Sequence, residues 1–362
     1  MHFRHELSYG TIIKDGRKGE WDAVLKIIHE KAKTCDVVVL LGDVLNSRHN
    51  HSSVIRRFVE FLRGFGDKEV HIIAGNHERY GTETALDFLK GVRNDGNNWW
   101  IWTEPQLAVL SGGDDDKTYP AFFIPYTTPH MMGGTTKEEA HDNIVKMFPK
   151  KDGRESFVFM HHGIKGSIWE GGTVDVDMFN EVTFSQSELE EHFDHAFGGH
   201  VHQPQRISDK TIVAGSILTT EVGEDSKSIW IYDTAKGLEE IELPVRGIYK
   251  HIWNGPSSLA HIPDHSIVKC VVTNKVYNLD DVREGLKRFD ASIIVEQYPN
   301  ERTKVHFEEG MLDLSLDNLL KIYSKEKGVD HSELSEAYSI VDSYDFNRTG
   351  SVVSENGNSN PA

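Results

Sequence analysis

Asp36-Val37-Val38-Val39-Leu40-Leu41-Gly42-Asp43 is the stretch of sequence that decides the fold of this chain. Its apolar run is too short for a helix and is typical of a strand that is buried on both faces. Similar short apolar runs occur at 69–74, 156–160, 195–197 and 211–214. Segments with apolar residues three and four positions apart lie between the runs, as in amphipathic helices. The alternation predicts a layered α/β domain.

Composition and charge narrow the class of protein. The 362 residues carry a net charge of −18, with 38% hydrophobic and 27% charged residues. This acidity argues against a general nucleic-acid coat protein, but metal ions and a local basic patch still allow an acidic nuclease. Cys35 and Cys270 are too few for a disulfide framework. No apolar stretch approaches the roughly 20 residues of a membrane span and no signal peptide is evident, so we expect a cytoplasmic protein without membrane association.

Polar motifs follow the predicted strands in a fixed order. The motifs are Gly42-Asp43, Gly75-Asn76-His77-Glu78, Met160-His161-His162-Gly163 and Gly199-His200-Val201-His202. Loops at the carboxyl ends of sheet strands are where α/β folds bind ligands, because side chains from several strands converge there. Each motif alone is common in turns or as an isolated histidine pair. Their shared position after strands predicts a single site.

The residue types in these motifs indicate a site for two divalent metal ions. The donor side chains are Asp43, Asn76, His161, His200 and His202. A carboxylate offers two oxygens, so Asp43 can bridge two cations. A mixed oxygen and nitrogen set suits Mn²⁺, Fe or Zn²⁺ better than Ca²⁺ or Mg²⁺, and we expect Mn²⁺. In two-metal hydrolysis of a phosphoester, His77 would be free to protonate the leaving oxygen.

This ordered set resembles the calcineurin-like metallophosphoesterase family, whose pattern is Asp-x-His, Gly-Asp, Gly-Asn-His-Asp/Glu, His and Gly-His-x-His. The resemblance spans residues 2 to 233 and implies a four-layer αββα sandwich of two sheets flanked by helices. It also implies how the site residues divide. His2, Asp43 and His202 would bind one metal, Asp43, Asn76, His161 and His200 would bind the other, and His77 would be the catalytic histidine.

The first motif of the family is represented here by its histidine. The chain begins Met1-His2, so the Asp of Asp-x-His would fall immediately before residue 1. We therefore expect an N-terminal truncation that removes this Asp and the first strand. The first metal site would lose a ligand and a negative charge, and the edges of neighbouring strands would lie unpaired.

Within the family, the chain is most similar to the SbcD-type DNA repair nucleases, which act with an SMC-like ATPase of SbcC type. His161-His162-Gly163 resembles the His-Gln-Gly of that subgroup, and Glu221-Val222-Gly223-Glu224 resembles part of its closing strand. The resemblance implies a DNA nuclease of repair and recombination, the ATPase as a partner, and a homodimer. Arg56 and Arg57 follow the Asp43 loop and are the candidate DNA contacts.

Shifts in composition divide the chain into four segments. The expected segments are 1–246 (metallophosphoesterase domain), 247–310 (small α/β cap), 311–345 (helical ATPase-binding segment) and 346–362 (disordered tail). Within the cap, a strand, a helix and a strand are predicted at 266–273, 279–289 and 292–297, which gives a βαβ unit. The helical segment has apolar stripes that could dock a coiled coil.

Two other functions fit the same residues. The metals could act on small phosphoesters without DNA, as in a phosphatase or phosphodiesterase. The chain could also be a catalytically impaired scaffold subunit, because the first carboxylate ligand is absent from the sequence. Activity on a chromogenic diester without DNA binding would favour the first, and a metal content near one ion per chain without hydrolysis would favour the second.

Overall fold

A computed structural model describes most of the first 295 residues. The described residues are 1–4, 17–92, 98–112, 117–169, 181–224, 226–273 and 278–295, together with Ser324 and Ser332. The chain divides into two compact units, residues 1–297 and 298–362. Apart from the two serines, the expected helical segment at 311–345 and tail at 346–362 lie outside the described residues.

Helices and strands alternate through the first unit. The helices are α1 (Lys18–Ala32), α2 (Ser52–Arg63), α3 (Phe88–Val92), α4 (Lys137–Val145), α5 (Gln186–His192) and α6 (Leu279–Gly285). The strands are β1 (Val37–Leu40), β2 (Glu69–Ile73), β3 (Arg79–Tyr80), β4 (Glu83–Thr84), β5 (Trp99–Trp102), β6 (Gln106–Gly112), β7 (Lys117–Ile124), β8 (Phe157–Met160), β9 (Gly163–Ile164), β10 (Thr183–Phe184), β11 (His195–Gly198), β12 (Gln205–Arg206), β13 (Thr211–Val213), β14 (Lys227–Asp233), β15 (Gly237–Leu243), β16 (Ile248–Ile252), β17 (Ile267–Val272) and β18 (Asp290–Val295). The predicted α/β class is confirmed. Among the described helices, none has both the length and the apolar character needed to cross a membrane.

Two sheets carry the motif residues at their strand ends. The first is a parallel sheet in the order β1-β2-β5. The second has the order β12-β13-β11-β8-β7-β6, with parallel central strands and antiparallel edges at β12 and β6. The five apolar runs predicted as strands are β1, β2, β8, β11 and β13. Parallel pairing aligns the carboxyl ends within each sheet, and the motif residues of the two sheets contact one another, as Asp43 and His161 do.

Alternate side chains of β1 enter different hydrophobic cores, as the two-residue period of a strand requires. Val38 and Leu40 pack with buried residues of α1 and α2, such as Trp21 and Phe58. Val37 and Val39 pack in a second core with residues of the six-stranded sheet, including Phe159. A third core joins the other face of that sheet to α4 and α5. β1 is therefore covered on both faces, as its continuous apolar run predicts, although Val37, Val38 and Val39 are only partly buried.

Residues 248–295 contain a separate parallel sheet in the order β16-β17-β18. Trp253, Val268 and Val282 contribute to its own hydrophobic core. β17, α6 and β18 lie where the sequence predicts a strand, a helix and a strand. α6 begins at Leu279 because the side chain of Asn278 caps it, and it ends at Gly285, earlier than the predicted 289.

Candidate metal centre

The end of β1 turns through a left-handed glycine and aspartate. Gly42 and Asp43 have φ angles of 92° and 46°, a conformation that is costly for a residue with a Cβ. The fully buried carboxylate of Glu78 holds this turn. It accepts hydrogen bonds from the N–H groups of Asp43 (3.2 Å), Leu45 (2.6 Å) and Gly75 (2.8 Å). Gly75 permits the close approach, since a Cβ there would lie 2.1 Å from Asp43 Oδ1.

The backbone of residues 1–4 places His2 beside this turn. Phe3 forms an isolated parallel bridge with Leu45. The N–H of His2 donates to the carbonyl oxygen of Asp43 at 2.6 Å. The His2 ring is buried, with Nε2 3.9 Å from Asp43 Oδ2. Among the described residues, its Nδ1 has no hydrogen-bond partner.

Asp43, Asn76, His161 and His200 form one cluster, here called the inner group. His161 Nε2 lies 3.2 Å from Asp43 Oδ2 and 3.0 Å from Asn76 Oδ1. It also lies 3.3 Å from Nδ1 of His200. His161 and His200 are 0% and 6% exposed, so water has little access to these atoms.

In His161 and His200, the ring nitrogen that points away from the cluster determines which atom carries the proton. His161 Nδ1 faces the carbonyl oxygen of Leu41 at 2.6 Å, and His200 Nε2 faces Glu181 Oε2 at 2.8 Å. A neutral imidazole must donate to these acceptors through the outer nitrogen, which assigns a lone pair to the inner one. The four inner atoms are then all acceptors, with no hydrogen between them. Acceptor atoms this close repel one another. A cation at their centre would coordinate them and remove the repulsion.

His2, His77 and His202 form a second cluster around the same carboxylate, here called the outer group. His2 Nε2 lies 2.9 Å from His202 Nε2, and His77 Nε2 lies 3.8 Å from Asp43 Oδ2. The Nδ1 of His202 faces Glu224 Oε1 at 3.2 Å. Burial would raise the pKa of Glu224, but the hydrogen bond from His202 and the charge of Lys227 lower it to about 2. The carboxylate therefore accepts from His202, whose Nε2 presents a lone pair to the site.

Electrostatics favour the metal-binding protonation states of Asp43 and His2. Burial by itself would raise the pKa of Asp43, but the surrounding His161, His2 and His77 rings hold it well below its ordinary value. Burial lowers the pKa of His2 well below its ordinary value. At neutral pH the carboxylate is therefore ionised and His2 is neutral, which are the forms that bind metals.

These donors fit divalent cations. Two sets have their ligand atoms within 4.8 Å of one another, namely His2 with Asp43 and His77, and Asp43 with His161 and His200. Both sets contain oxygen and nitrogen without thiolate, which suits Mn²⁺, Fe or Zn²⁺. The structure thus brings together all the residues that the sequence predicts as metal ligands.

His77 is fixed through one ring nitrogen, and its side chain is partly exposed. Its Nδ1 lies 3.0 Å from the carbonyl oxygen of Asn46, and the backbone N–H of His77 donates to Asp43 Oδ1 at 2.9 Å. The side chain is 40% exposed, far more than the rings of the inner group. A substrate can therefore reach the ring of His77 from solvent.

Comparison with known proteins agrees with this geometry. The family model for calcineurin-like phosphoesterases matches residues 1–204, more than half of the chain. The chain belongs to the calcineurin-like phosphoesterase family. Metal-dependent hydrolysis of phosphoesters is the activity that this membership supports. No curated protein matches the chain.

The phosphoesterase centre also contains carboxylates that the motif analysis did not assign to it. Glu181 binds His200 and accepts a hydrogen bond from the hydroxyl of Tyr126 at 3.3 Å. Nothing in the sequence around Glu181 marks it. Glu224 lies in a turn before β14 instead of in a closing strand, and it binds His202. Glu78 directly follows His77. Its place in that motif is the only feature of the sequence that could have predicted its role in the centre.

The arginines expected to contact DNA lie on α2. Arg56 pairs with Glu60 at 3.7 Å, and Arg57 pairs with Asp22 at 3.7 Å. A cavity of about 440 Å³ lies beside His77. Its lining consists of Asn46, Ser47, Arg48, His49, Asn76 and His77. Neither arginine of α2 lines this cavity, whereas Arg48, which the motif analysis passed over, does.

Proposed function

We propose that this phosphoesterase is a Mn²⁺-dependent DNA nuclease of SbcD type that hydrolyses phosphodiester bonds. The observation that carries the metal chemistry is the convergence of unprotonated donor atoms around Asp43 Oδ2. His2, Asp43 and His202 would hold one ion, and Asp43, Asn76, His161 and His200 would hold the other. Bound there, the ions would activate a water and neutralise charge on the phosphoryl oxygens.

Residues of the chain itself orient the donors and supply a proton. The Leu41 carbonyl, Glu181 and Glu224 each hold the outer nitrogen of a ligand histidine, so the lone pairs point inward before any ion binds. His77 is held through Nδ1 by Asn46, which leaves Nε2 to protonate the leaving oxygen. The site therefore needs little reorganisation during the reaction.

The hydrophobic cores support the four-layer αββα arrangement as part of this proposal. One core joins the first sheet to α1 and α2, the second joins residues of the two sheets, and the third joins the second sheet to α4 and α5. This is the layer order that the family resemblance implies. The sheet of β16, β17 and β18 is our candidate for the cap over a DNA substrate.

A polynucleotide suits the surroundings of the site better than a small ester. The cavity of about 440 Å³ beside His77 exceeds the need of one phosphoryl group and leaves room for the next part of a strand. A guanidinium lines it, although the chain as a whole is acidic. The similarity of the motifs to SbcD-type nucleases points in the same direction.

Hydrolysis assays with defined metals test the proposal. Full-length protein loaded with Mn²⁺ should cleave single-stranded DNA and DNA ends as well as a chromogenic phosphodiester, and chelation should abolish both activities. Asp43→Asn is the negative control. Cleavage of the chromogenic diester without any DNA binding would instead establish a hydrolase of small phosphoesters.

The partnership and the assembly need their own test. We propose that residues 311–345 bind an SMC-like ATPase of SbcC type and that the nuclease works as a homodimer. Co-purification with such an ATPase should require this segment, and sedimentation should give twice the chain mass. A monomer that fails to bind the ATPase and contains one metal without hydrolysis would favour the impaired scaffold subunit.

A further inference from the structure

A single arginine faces the cavity beside His77 without an acidic partner. Arg48 lines the cavity, and its Cζ lies 5.5 Å from the centre of the Tyr80 ring. Within the described part of the chain, Arg48 takes part in no salt bridge, in contrast to Arg56 and Arg57 of α2. A guanidinium without a carboxylate partner keeps its donors available for an anionic ligand.

The loop that carries Arg48 is held at both ends. At its start, the N–H of Asn46 donates to the carbonyl oxygen of Phe3 at 3.0 Å, and the Asn46 carbonyl lies 3.0 Å from His77 Nδ1. At its end, the ring of His51 caps α2 by accepting from the N–H of Ser53. Because Asn46 contacts His77 directly, Arg48 is tied to the catalytic histidine through a short stretch of backbone.

Tyr80 lies in a short β-hairpin that is anchored to the rest of the fold. β3 and β4 pair Arg79 with Thr84 and Tyr80 with Glu83. The Arg79 side chain is buried and donates through Nε to the carbonyl oxygen of Tyr126 at 3.1 Å. The Tyr80 side chain is 63% exposed. Its ring supports the Arg48 guanidinium through a cation–π contact and limits the orientations available to it.

We propose that Arg48, oriented by Tyr80, binds the phosphate that neighbours the scissile phosphate in a DNA strand. The inference rests on the proposed nuclease function and assigns a specificity residue within it. The scissile phosphate belongs at the metal donors around Asp43, so the adjoining cavity lined by Asn76 and His77 receives the next part of the strand. The planar guanidinium can donate two parallel hydrogen bonds from separate nitrogens to two oxygens of one phosphate, a geometry that the single ammonium nitrogen of a lysine does not offer. An ester with a single phosphate group cannot occupy both places.

Steady-state kinetics on two substrates test this assignment. For Arg48→Ala, we expect KM for a single-stranded oligonucleotide to rise several-fold, with unchanged kcat/KM for a chromogenic phosphodiester. The slope of log(kcat/KM) against log salt for the oligonucleotide is negative. It should become shallower by about 0.7, the value for one phosphate contact on a single strand. Arg48→Lys should keep the salt slope but raise KM. Tyr80→Phe should behave as the wild type, and Tyr80→Ala should raise KM.

A matched arginine provides the control. Arg206 also lies over an aromatic ring, 5.7 Å from the centre of Trp230, but does not line the cavity. Arg206→Ala should therefore leave KM and the salt slope unchanged.

If Arg48→Ala matches Arg206→Ala while the wild type cleaves both substrates, Arg48 has no such role and the nuclease function stands. An equal loss on both substrates would place Arg48 at the scissile phosphate and overturn the inference. A wild type that cleaves only the chromogenic ester would overturn the nuclease function as well.

Discussion

The inner and outer groups share Asp43 but differ in how firmly the protein holds them. In the inner group, both imidazoles are buried and both outer nitrogens face fixed acceptors. In the outer group, His202 is held by Glu224, whereas Nδ1 of His2 has no partner among the described residues and His77 is 40% exposed. From this difference we infer that the inner group would bind an ion tightly. The more exposed outer group would contact the substrate and should hold its ion more weakly.

Asp43→Asn gives the largest expected effect, because it removes the charge that the two groups share. Both ions should be lost, and hydrolysis should fall to the rate of the metal-free protein. Metal content by mass spectrometry and turnover of a chromogenic phosphodiester measure the two effects. The amide keeps the size of the side chain, so circular dichroism should show an intact fold. A variant that retains its full metal content would contradict the bridging role.

His77→Ala separates proton transfer from metal binding within the outer group. We expect kcat to fall by about 10²–10⁴-fold, the usual contribution of a general acid. Metal content should remain that of the wild type. Esters with good leaving groups, which need no proton, should lose less activity than DNA. Equal losses for all leaving groups would assign His77 to metal binding and make the outer group resemble the inner one.

Glu181→Gln and Glu224→Gln compare the supports of the two groups. Loss of such an outer partner typically weakens metal binding by about 10–100-fold. Glu181→Gln should weaken the inner ion and Glu224→Gln the outer ion, which a Mn²⁺ titration with two resolved binding steps would show. If both variants weaken the same step, the two groups do not act as separate sites.

Glu20 tests a more distant support of the outer group. Its carboxylate accepts hydrogen bonds from Arg17 and Arg246, and Arg17 also donates to the carbonyl oxygen of Thr219, next to the Thr220 that binds Glu224. Burial would raise the pKa of Glu20, but the hydrogen bonds and charge of the arginines lower it below its ordinary value of 4.5. Glu20→Gln should therefore lower the free energy of unfolding at pH 7, by an amount that moves Tm about 2–4 °C per kcal/mol.

The pH dependence of that difference has a defined sign. A carboxylate whose pKa is depressed in the folded state stabilises the protein above its unfolded pKa, and this stabilisation is lost as the pH falls through the folded-state pKa. Thermal melts of the wild type and Glu20→Gln should therefore converge on acidification below pH 4.5. Melts that stay apart at the lowest pH would show that packing, and not the charge of Glu20, supports this side of the site.

Short-range patterns were sufficient for the strands and the ligand order. The run from Asp36 to Leu41 predicted β1 because a strand buried on both faces leaves a continuous apolar pattern. The same reasoning placed Asp43, Asn76 and His161 at strand ends, and the structure brings these residues together.

Long-range partners could not be predicted in the same way. Glu181 contacts His200, and Glu20 contacts Arg246. The partners in each pair are far apart in the sequence, so no local pattern predicts the contact. Arg56 and Arg57 stay candidate DNA contacts, and the ion pairs that both form with nearby carboxylates on the helical surface became visible only in the structure. Arg48 looked ordinary in the sequence, and only its position over Tyr80 at the cavity distinguishes it.

The sequence by itself determined the α/β class, the ordered donors and their chemistry, because strand burial and metal preference are properties of residue type and spacing. Only the tertiary structure decided which nitrogen of each imidazole faces the site. That choice depends on acceptors such as the Leu41 carbonyl, Glu181 and Glu224, which folding alone brings within hydrogen-bonding distance. The run from Asp36 to Asp43 thus predicts where the centre lies, and contacts between distant residues orient its donors.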